Sequence, residues 1–251
     1  MKLKDKVAII TGSARGIAKA VAMEYLKEGA KIVFADNDKT ALARIPKELE
    51  VGEDRYILCP TDLTQKQEID TMVNDTFNKF GTVDILVNHV GDSYLKPFTV
   101  TTDEDFEFAI DLTLRTTFLC TRAVLPEMMK KSCGKIINTA SVAGKIGMPN
   151  SSLMCMVKHG IIGLTKALAM DYGRHNINVN AVCPALIETE SAKMRMIPNF
   201  DSVKKIIVNN SALGRLTTPE EIARIYVFLA SDDASFMTGQ AVNWTGGFLM
   251  I

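Results

Sequence analysis

The chain has 251 residues, 47% of them apolar and 23% charged, enough for one large buried core and an ordinary charged surface. Its 29 basic residues balance its 29 acidic ones, which argues against general attraction to nucleic acid or anionic membrane. Five scattered cysteines (Cys59, Cys120, Cys133, Cys155 and Cys183) form no CxxC pair, a pattern of free thiols in a reducing compartment rather than of a disulfide framework.

Lys2, Lys4 and Lys6 read as a solvated lead-in to a first strand, Val7–Thr11. The apolar run Val7–Ile10 ends at Thr11-Gly12 and is too short for the core of a signal peptide. No uninterrupted apolar run is long enough to span a bilayer, so a cytoplasmic location is expected. A helix follows over Ile17–Glu28, with Ile17, Val21 and Tyr25 at helical spacing and Gly29 ending it. Further strands are expected at Lys31–Ala35, Tyr56–Cys59, Asp84–Asn88, Lys135–Thr139, Asn178–Cys183 and Ala241–Trp244. Most are nearly continuous apolar runs, as strands covered on both faces are.

The stretch Asp103–Lys130 predicts a long sheet-covering helix, and Ser151–Tyr172 another, with Asn150 and two serines as caps. Pro219–Ala230 predicts a third, with Thr218 as its cap and Pro219 in the first helical position. Alternating strands and helices imply a single α/β domain over residues 1–251, a Rossmann-type doubly wound parallel sheet of about seven strands. Residues 186–211 break the alternation at the edge where such sheets bind ligands. They read either as a lid with adaptable methionines (Met194 and Met196) or as ordinary surface helices.

The first turn, Thr11-Gly12-Ser13-Ala14-Arg15-Gly16-Ile17-Ala18, joins a strand to a helix. Its glycines let the backbone turn sharply and approach a pyrophosphate, which the helix N-terminus favours. Asp36, at the end of the second strand, is placed to accept from an adenosine ribose and to repel a 2′-phosphate. NAD is therefore expected over NADP. Arg15 points the other way, since a basic side chain there suits the phosphate. Asp36 also reads as a cap for the segment after it.

These motifs resemble the short-chain dehydrogenase/reductase family. The likeness runs through Asp62 after the third strand, Asn88-x-x-Gly91 after the fourth, Ser141 after the fifth and Lys158 on the next helix. It continues to Pro184, Thr189 and the Gly239-Gln240…Gly246-Gly247 ending. The resemblance implies cofactor contacts from Gly12, Arg15, Gly16, Ile17, Asp36, Asp62, Leu63, Asn88, Gly91, Lys158, Pro184 and Thr189. Asp62 would lie near the adenine, Asn88 and Gly91 would hold the cofactor loop, and Thr189 would meet the carboxamide. It also implies a homotetramer through the long helices and the apolar tail Phe248–Ile251.

The family couples hydride transfer at an alcohol or ketone carbon to proton transfer at its oxygen, through a tyrosine, a lysine four residues later, a serine and an asparagine. This chain has Ser141 and Lys158, but Met154 where the tyrosine is expected and Thr113 where the asparagine is. A thioether has no exchangeable proton. Tyr94 is the first candidate for a replacement proton donor and His89 the second; His159, beside Lys158, points about 100° around the helix. Three readings follow: an NAD(H)-dependent oxidoreductase with an altered donor, a catalytically impaired NAD-binding subunit or sensor, and a non-redox reaction using Lys158 or His89 as base. Cys155 and His159, four apart, lack further metal ligands, so no metal is expected. The expected pocket residues Tyr94, Met148, Met154, Leu186 and Met194 imply an apolar small-molecule substrate.

Overall fold

A computed structural model describes residues 1–91, 95–195 and 200–251, without the side chains of 191, 194 and 195. Seven parallel strands form one sheet in the order β3-β2-β1-β4-β5-β6-β7. They are β1 Val7–Thr11, β2 Lys31–Asp36, β3 Tyr56–Pro60, β4 Ile85–Asn88, β5 Gly134–Thr139, β6 Ile177–Pro184 and β7 Ala241–Trp244. Each lies within one residue, at either end, of the strand expected from sequence. Every residue of β1, β4, β5 and β6 is buried, so these strands are covered on both faces.

On one face lie α1 (Gly16–Lys27) and, pressed against it, α9 (Pro219–Ala230). They cover a core holding Tyr25, Phe34 and Tyr226. Helix α9 begins as its sequence dictates: Thr218 and Glu221 cap each other's backbone N–H, with Pro219 next. The short α2 (Lys39–Leu42) follows β2. The opposite face carries α3 (Lys66–Phe80), α5 (Thr116–Lys130) and α6 (Ser152–Tyr172). Sequence patterning did not single out α3, though Ile69, Met72 and Val73 lie on its buried side and left-handed Gly81 ends it.

The single long helix expected over Asp103–Lys130 is a composite. It runs as α4 (Asp103–Ala109), a π-helical stretch (Ile110–Arg115) and α5. Thr116 Oγ1 donates to the Leu112 carbonyl at 2.7 Å and Thr117 Oγ1 to that of Thr113 at 2.8 Å. Such side-chain bonds compete with the backbone ladder and accompany the wider turn. Ser151 is the N-cap of α6, but no side chain bonds across that cap. The segment Ser152–His175 has the length and hydropathy of a membrane span. Leu153, Val157, Ile161 and Ile162 on it are buried against the domain. Within residues 186–211 lie α7 (Glu190–Arg195) and α8 (Phe200–Asn210), the latter anchored by buried Phe200 and Ile207.

β1 has β2 on one side and β4 on the other, so the chain leaves their carboxyl ends in opposite directions. The crevice this opens is where a doubly wound sheet takes its ligand.

Candidate active site

A cavity of about 1220 Å³ occupies that edge. Gly12 and Gly16 line it with φ of +66° and +61°, a region L-residues enter at a cost. A Cβ on Gly12 would also stand 3.3 Å from Val90 Cγ2. No side chain caps α1, and its first turn carries no acid. Its N–H groups and dipole therefore face the cavity unpaired by protein charge, a ready anion site. Arg15 and Ile17 line the same wall.

Asp36 lies at the cavity rim. Its carboxylate accepts from the Ala14 N–H at 3.0 Å and from that of Asp38 at 2.9 Å. It therefore braces the glycine turn and also serves the segment after it. Burial pushes its carboxyl up, while the Ala14 N–H and the nearby Arg15 favour the charged form. Arg15 forms an ion pair with Asp38, which also caps α2. Two carboxylates and one already paired guanidinium thus stand together beside the glycine turn. Asp62 and Leu63 line the next part of the wall, and Asp62 holds the Thr64 N–H at 2.9 Å. Asn37, Asp38 and Thr61 also line this end and were not picked out from sequence.

Gly91 and His89 line the cavity; Asn88, of the same loop, does not. Asn88 Nδ2 donates to Thr121 Oγ1 at 3.1 Å and to Asn138 Oδ1 at 2.9 Å, and Asn138 Nδ2 to Thr165 Oγ1 at 2.9 Å. It anchors the end of β4 beneath the loop. Tyr94 lies outside the described residues.

Ser141, Met154 and Lys158 line the far end. Ser141 follows β5 and accepts from the Ala143 N–H at 3.2 Å, opening the tight turn Val142–Gly144. That turn packs so closely on α6 that a Cβ at Gly144 would lie 2.7 Å from the Lys158 carbonyl oxygen. Met154 and Lys158 are one turn apart on α6. Lys158 Nζ donates to the Thr139 carbonyl at 2.8 Å. Burial pushes its ammonium down to about 8. Lys158 Nζ and Thr113 Oγ1 each lie 3.3 Å from the Cβ position of Gly91, and the Thr113 hydroxyl has no partner. His159 turns away from this group, with Nδ1 2.8 Å from the Cys155 carbonyl.

Pro184 at the end of β6, and Leu186 and Thr189 after it, complete the wall. Thr189 Oγ1 accepts from the Ala192 N–H at 3.0 Å, and its methyl lies 3.9 Å from the Cβ position of Gly16. Apolar side chains dominate the rest: Met148, Ile206, Ile207 and Phe248. Of these, sequence reasoning missed the α8 residues and Phe248. Neither has a local motif, and both reach the cavity only through the fold. The Met194 side chain lies outside the described set.

The family model described as enoyl-(acyl carrier protein) reductase matches residues 12–249. The 3-oxoacyl-[acyl-carrier-protein] reductase FabG of Thermotoga maritima is 36% identical over 253 residues, covering 100% of both chains. The meso-2,3-butanediol dehydrogenase of Serratia marcescens is 32% identical over 98% of this chain and 96% of its own. Among solved structures, levodione reductase superposes with a TM-score of 0.91 at 31% identity, covering 98% of each chain. The structure of ElxO with NADP bound gives 0.90 at 32% identity, covering 99% of each.

Proposed function

We propose that this chain, which belongs to the short-chain dehydrogenase/reductase family of oxidoreductases, is an NAD(H)-dependent enzyme acting on a carbonyl or alcohol carbon, with Met154 in the place of the usual proton-donating tyrosine. One observation carries this reading: the glycine turn at Gly12–Gly16, Ser141 and Lys158 all line one cavity. A dinucleotide laid from Asp36 to Lys158 has its diphosphate at the start of α1. The cofactor supplies or accepts the hydride when bound. Ser141 orients the substrate oxygen, Lys158 holds the ribose next to the nicotinamide, and Thr189 meets the carboxamide. Gly91, Asp62, Leu63 and Pro184 close the cofactor's path, and Asn88 supports it from below.

The preference for NAD rests on charge. Asp36 and Asp38 both stand at the ribose end, and Arg15 is already paired. Like charges in a confined site oppose a 2′-phosphate. The relatives include an NADP-bound structure, so the choice is settled by titrating both nucleotides. The substrate is apolar, as Met148, Met154, Leu186, Ile206 and Phe248 on the wall suggest. Residues 186–211, with α7 and α8, serve as its lid. A cytoplasmic homotetramer fits the free cysteines and the exposed Phe106, Phe118 and Met156 on the long helices.

The proton comes from Tyr94, from His89 or from water, because Met154 has none to give. A second reading, a catalytically impaired dinucleotide-binding subunit, is favoured by Met154 together with the unpartnered Thr113 hydroxyl. A ketone and alcohol panel with NADH and NAD separates the two. Turnover supports the enzyme; tight binding without turnover on any compound supports the subunit.

A further inference from the structure

Two of the described lysines are buried, Lys135 and Lys158, and they are held differently. Lys135 stands near the start of β5, where Nζ donates to Asn178 Oδ1 at 2.6 Å and the charge of Asp232 favours its ammonium. Lys158 lies at the carboxyl edge of the sheet, on the cavity wall. Among the described residues its Nζ has one partner, the neutral Thr139 carbonyl, and no carboxylate bears on it. An ammonium carries three protons, so two of them lack a protein acceptor. Burial without such partners disfavours the charged form and brings the group down to about 8.

The amine also has room on its cavity side. Gly91 lines the cavity, and the Cβ it lacks would stand 3.3 Å from Lys158 Nζ and 3.3 Å from Thr113 Oγ1. A side chain at that position would crowd the nitrogen. Met154, one turn earlier on α6, offers a thioether that carries no charge and gives no proton. With Met148, Leu186 and Ile206 it makes the adjoining wall apolar. A lysine desolvated beside apolar walls, with no anion to hold its proton, is the kind that attacks carbonyl carbons.

We infer that, in the cofactor-free protein, the Lys158 amine condenses with small apolar aldehydes to a reversible Schiff base, so that the cavity is also a covalent carbonyl site. The lone pair of the neutral amine forms the C–N bond, and the carbonyl pair moves to oxygen, which water protonates. The carbinolamine then loses that oxygen as water and becomes an iminium. Hydrolysis reverses each step, and no oxidant or reductant is consumed. The amine's reactivity does not depend on the oxidoreductase reading. Its competition with a dinucleotide does, because that reading gives Lys158 to the ribose next to the nicotinamide.

The titratable groups around this amine are Cys183 on β6, with Lys145 beside that thiol, and His89 on the cavity wall after β4. Burial pushes the Cys183 thiol up, so it stays protonated and neutral while Lys158 titrates. The pH dependence of condensation therefore follows Lys158 itself.

Reductive trapping on the full-length wild-type protein tests this. Hexanal and sodium cyanoborohydride are added at about pH 7.5, the reductant fixes any imine as a secondary amine, and peptide mass spectrometry maps the adducts. At that pH about a quarter of Lys158 is neutral, against roughly a thousandth of an ordinary lysine. A weaker base is also a weaker nucleophile, which by analogy with thiols removes about tenfold of that advantage. Lys158 should still be alkylated at least about tenfold faster than the exposed Lys27 and Lys130, with its half-maximal rate near pH 8. Lys135, buried away from the cavity, should stay unmodified. Glyoxylate, an aldehyde that carries a carboxylate, should label Lys158 less than hexanal does, each measured relative to Lys27. Saturating NAD should suppress the Lys158 adduct alone. Labelling of Lys158 no faster than that of Lys27 and Lys130, or a half-maximum near pH 10, overturns the inference. Preference for glyoxylate overturns the apolar class of ligand. Fast labelling by hexanal that NAD leaves unchanged overturns the dinucleotide placement, while the amine site stands.

Discussion

The Lys158 ammonium and the Thr139 carbonyl meet at 2.8 Å inside the protein, with Lys158 only 6% exposed. One carbonyl replaces the water such a charge would otherwise hold, and its affinity for the proton falls to about 8. Folding therefore opposes the charged form. The unfolded chain binds more protons between pH 8 and about 10.5, so this group's contribution to stability rises with pH across that window. Urea unfolding at pH 7 and at pH 10 should show a gain of about 2–3 kcal/mol in the wild type that Lys158→Met lacks. At pH 7 the variant should be no less stable than wild type, yet bind NADH at least about tenfold more weakly.

Met154→Tyr places a phenol one turn before Lys158. If the site is otherwise competent, reductase activity with NADH should rise about 10²–10⁴-fold, the usual worth of a positioned acid–base group. Steady-state rates on the best ketone of a panel measure it. A variant that folds and binds NADH but gains nothing would show that the pocket has changed beyond Met154.

Asp36 accepts from the Ala14 N–H and lines the cavity, where we propose the adenosine ribose binds. Asp36→Ala should weaken NADH by roughly tenfold or more, as expected for lost bonds to a charged acceptor. Asp38→Ala acts differently, because it releases Arg15 from its ion pair. NADPH affinity should then rise relative to NADH. Fluorescence titration with both nucleotides checks the pair.

Gly12→Ala forces a side chain into φ +66°, with Val90 at 3.3 Å. The backbone term alone costs about 1–2 kcal/mol, or roughly 2–8 °C in Tm for a domain of this size. The loss of NADH affinity should exceed that of an equally destabilised variant elsewhere, since the new methyl group lines the cavity wall on which we propose the diphosphate lies.

Much of the fold is legible because burial on both faces writes strands as apolar runs. Val7–Thr11 and Ala241–Trp244 are found at their exact bounds. Helix α9 announces itself through Thr218 and Pro219. The π-helical stretch at Ile110–Arg115 does not, because it depends on which carbonyls the threonine hydroxyls reach. Helix α3 was readable from Ile69, Met72 and Val73, and from Gly81 after it. The glycine turn, Asp36, Ser141 and Lys158 stand out by local spacing. His89 stands out within its loop, but its link through Thr139 to Tyr226 does not, since those contacts join positions 50 and 87 residues apart. No window of sequence holds all three.

Calorimetric titration of the purified protein with NADH and NADPH tests the central claim most directly. Saturable binding of NADH, tighter than that of NADPH and weakened by Asp36→Ala, is the expected result. Heat no greater than dilution for both nucleotides would contradict the account.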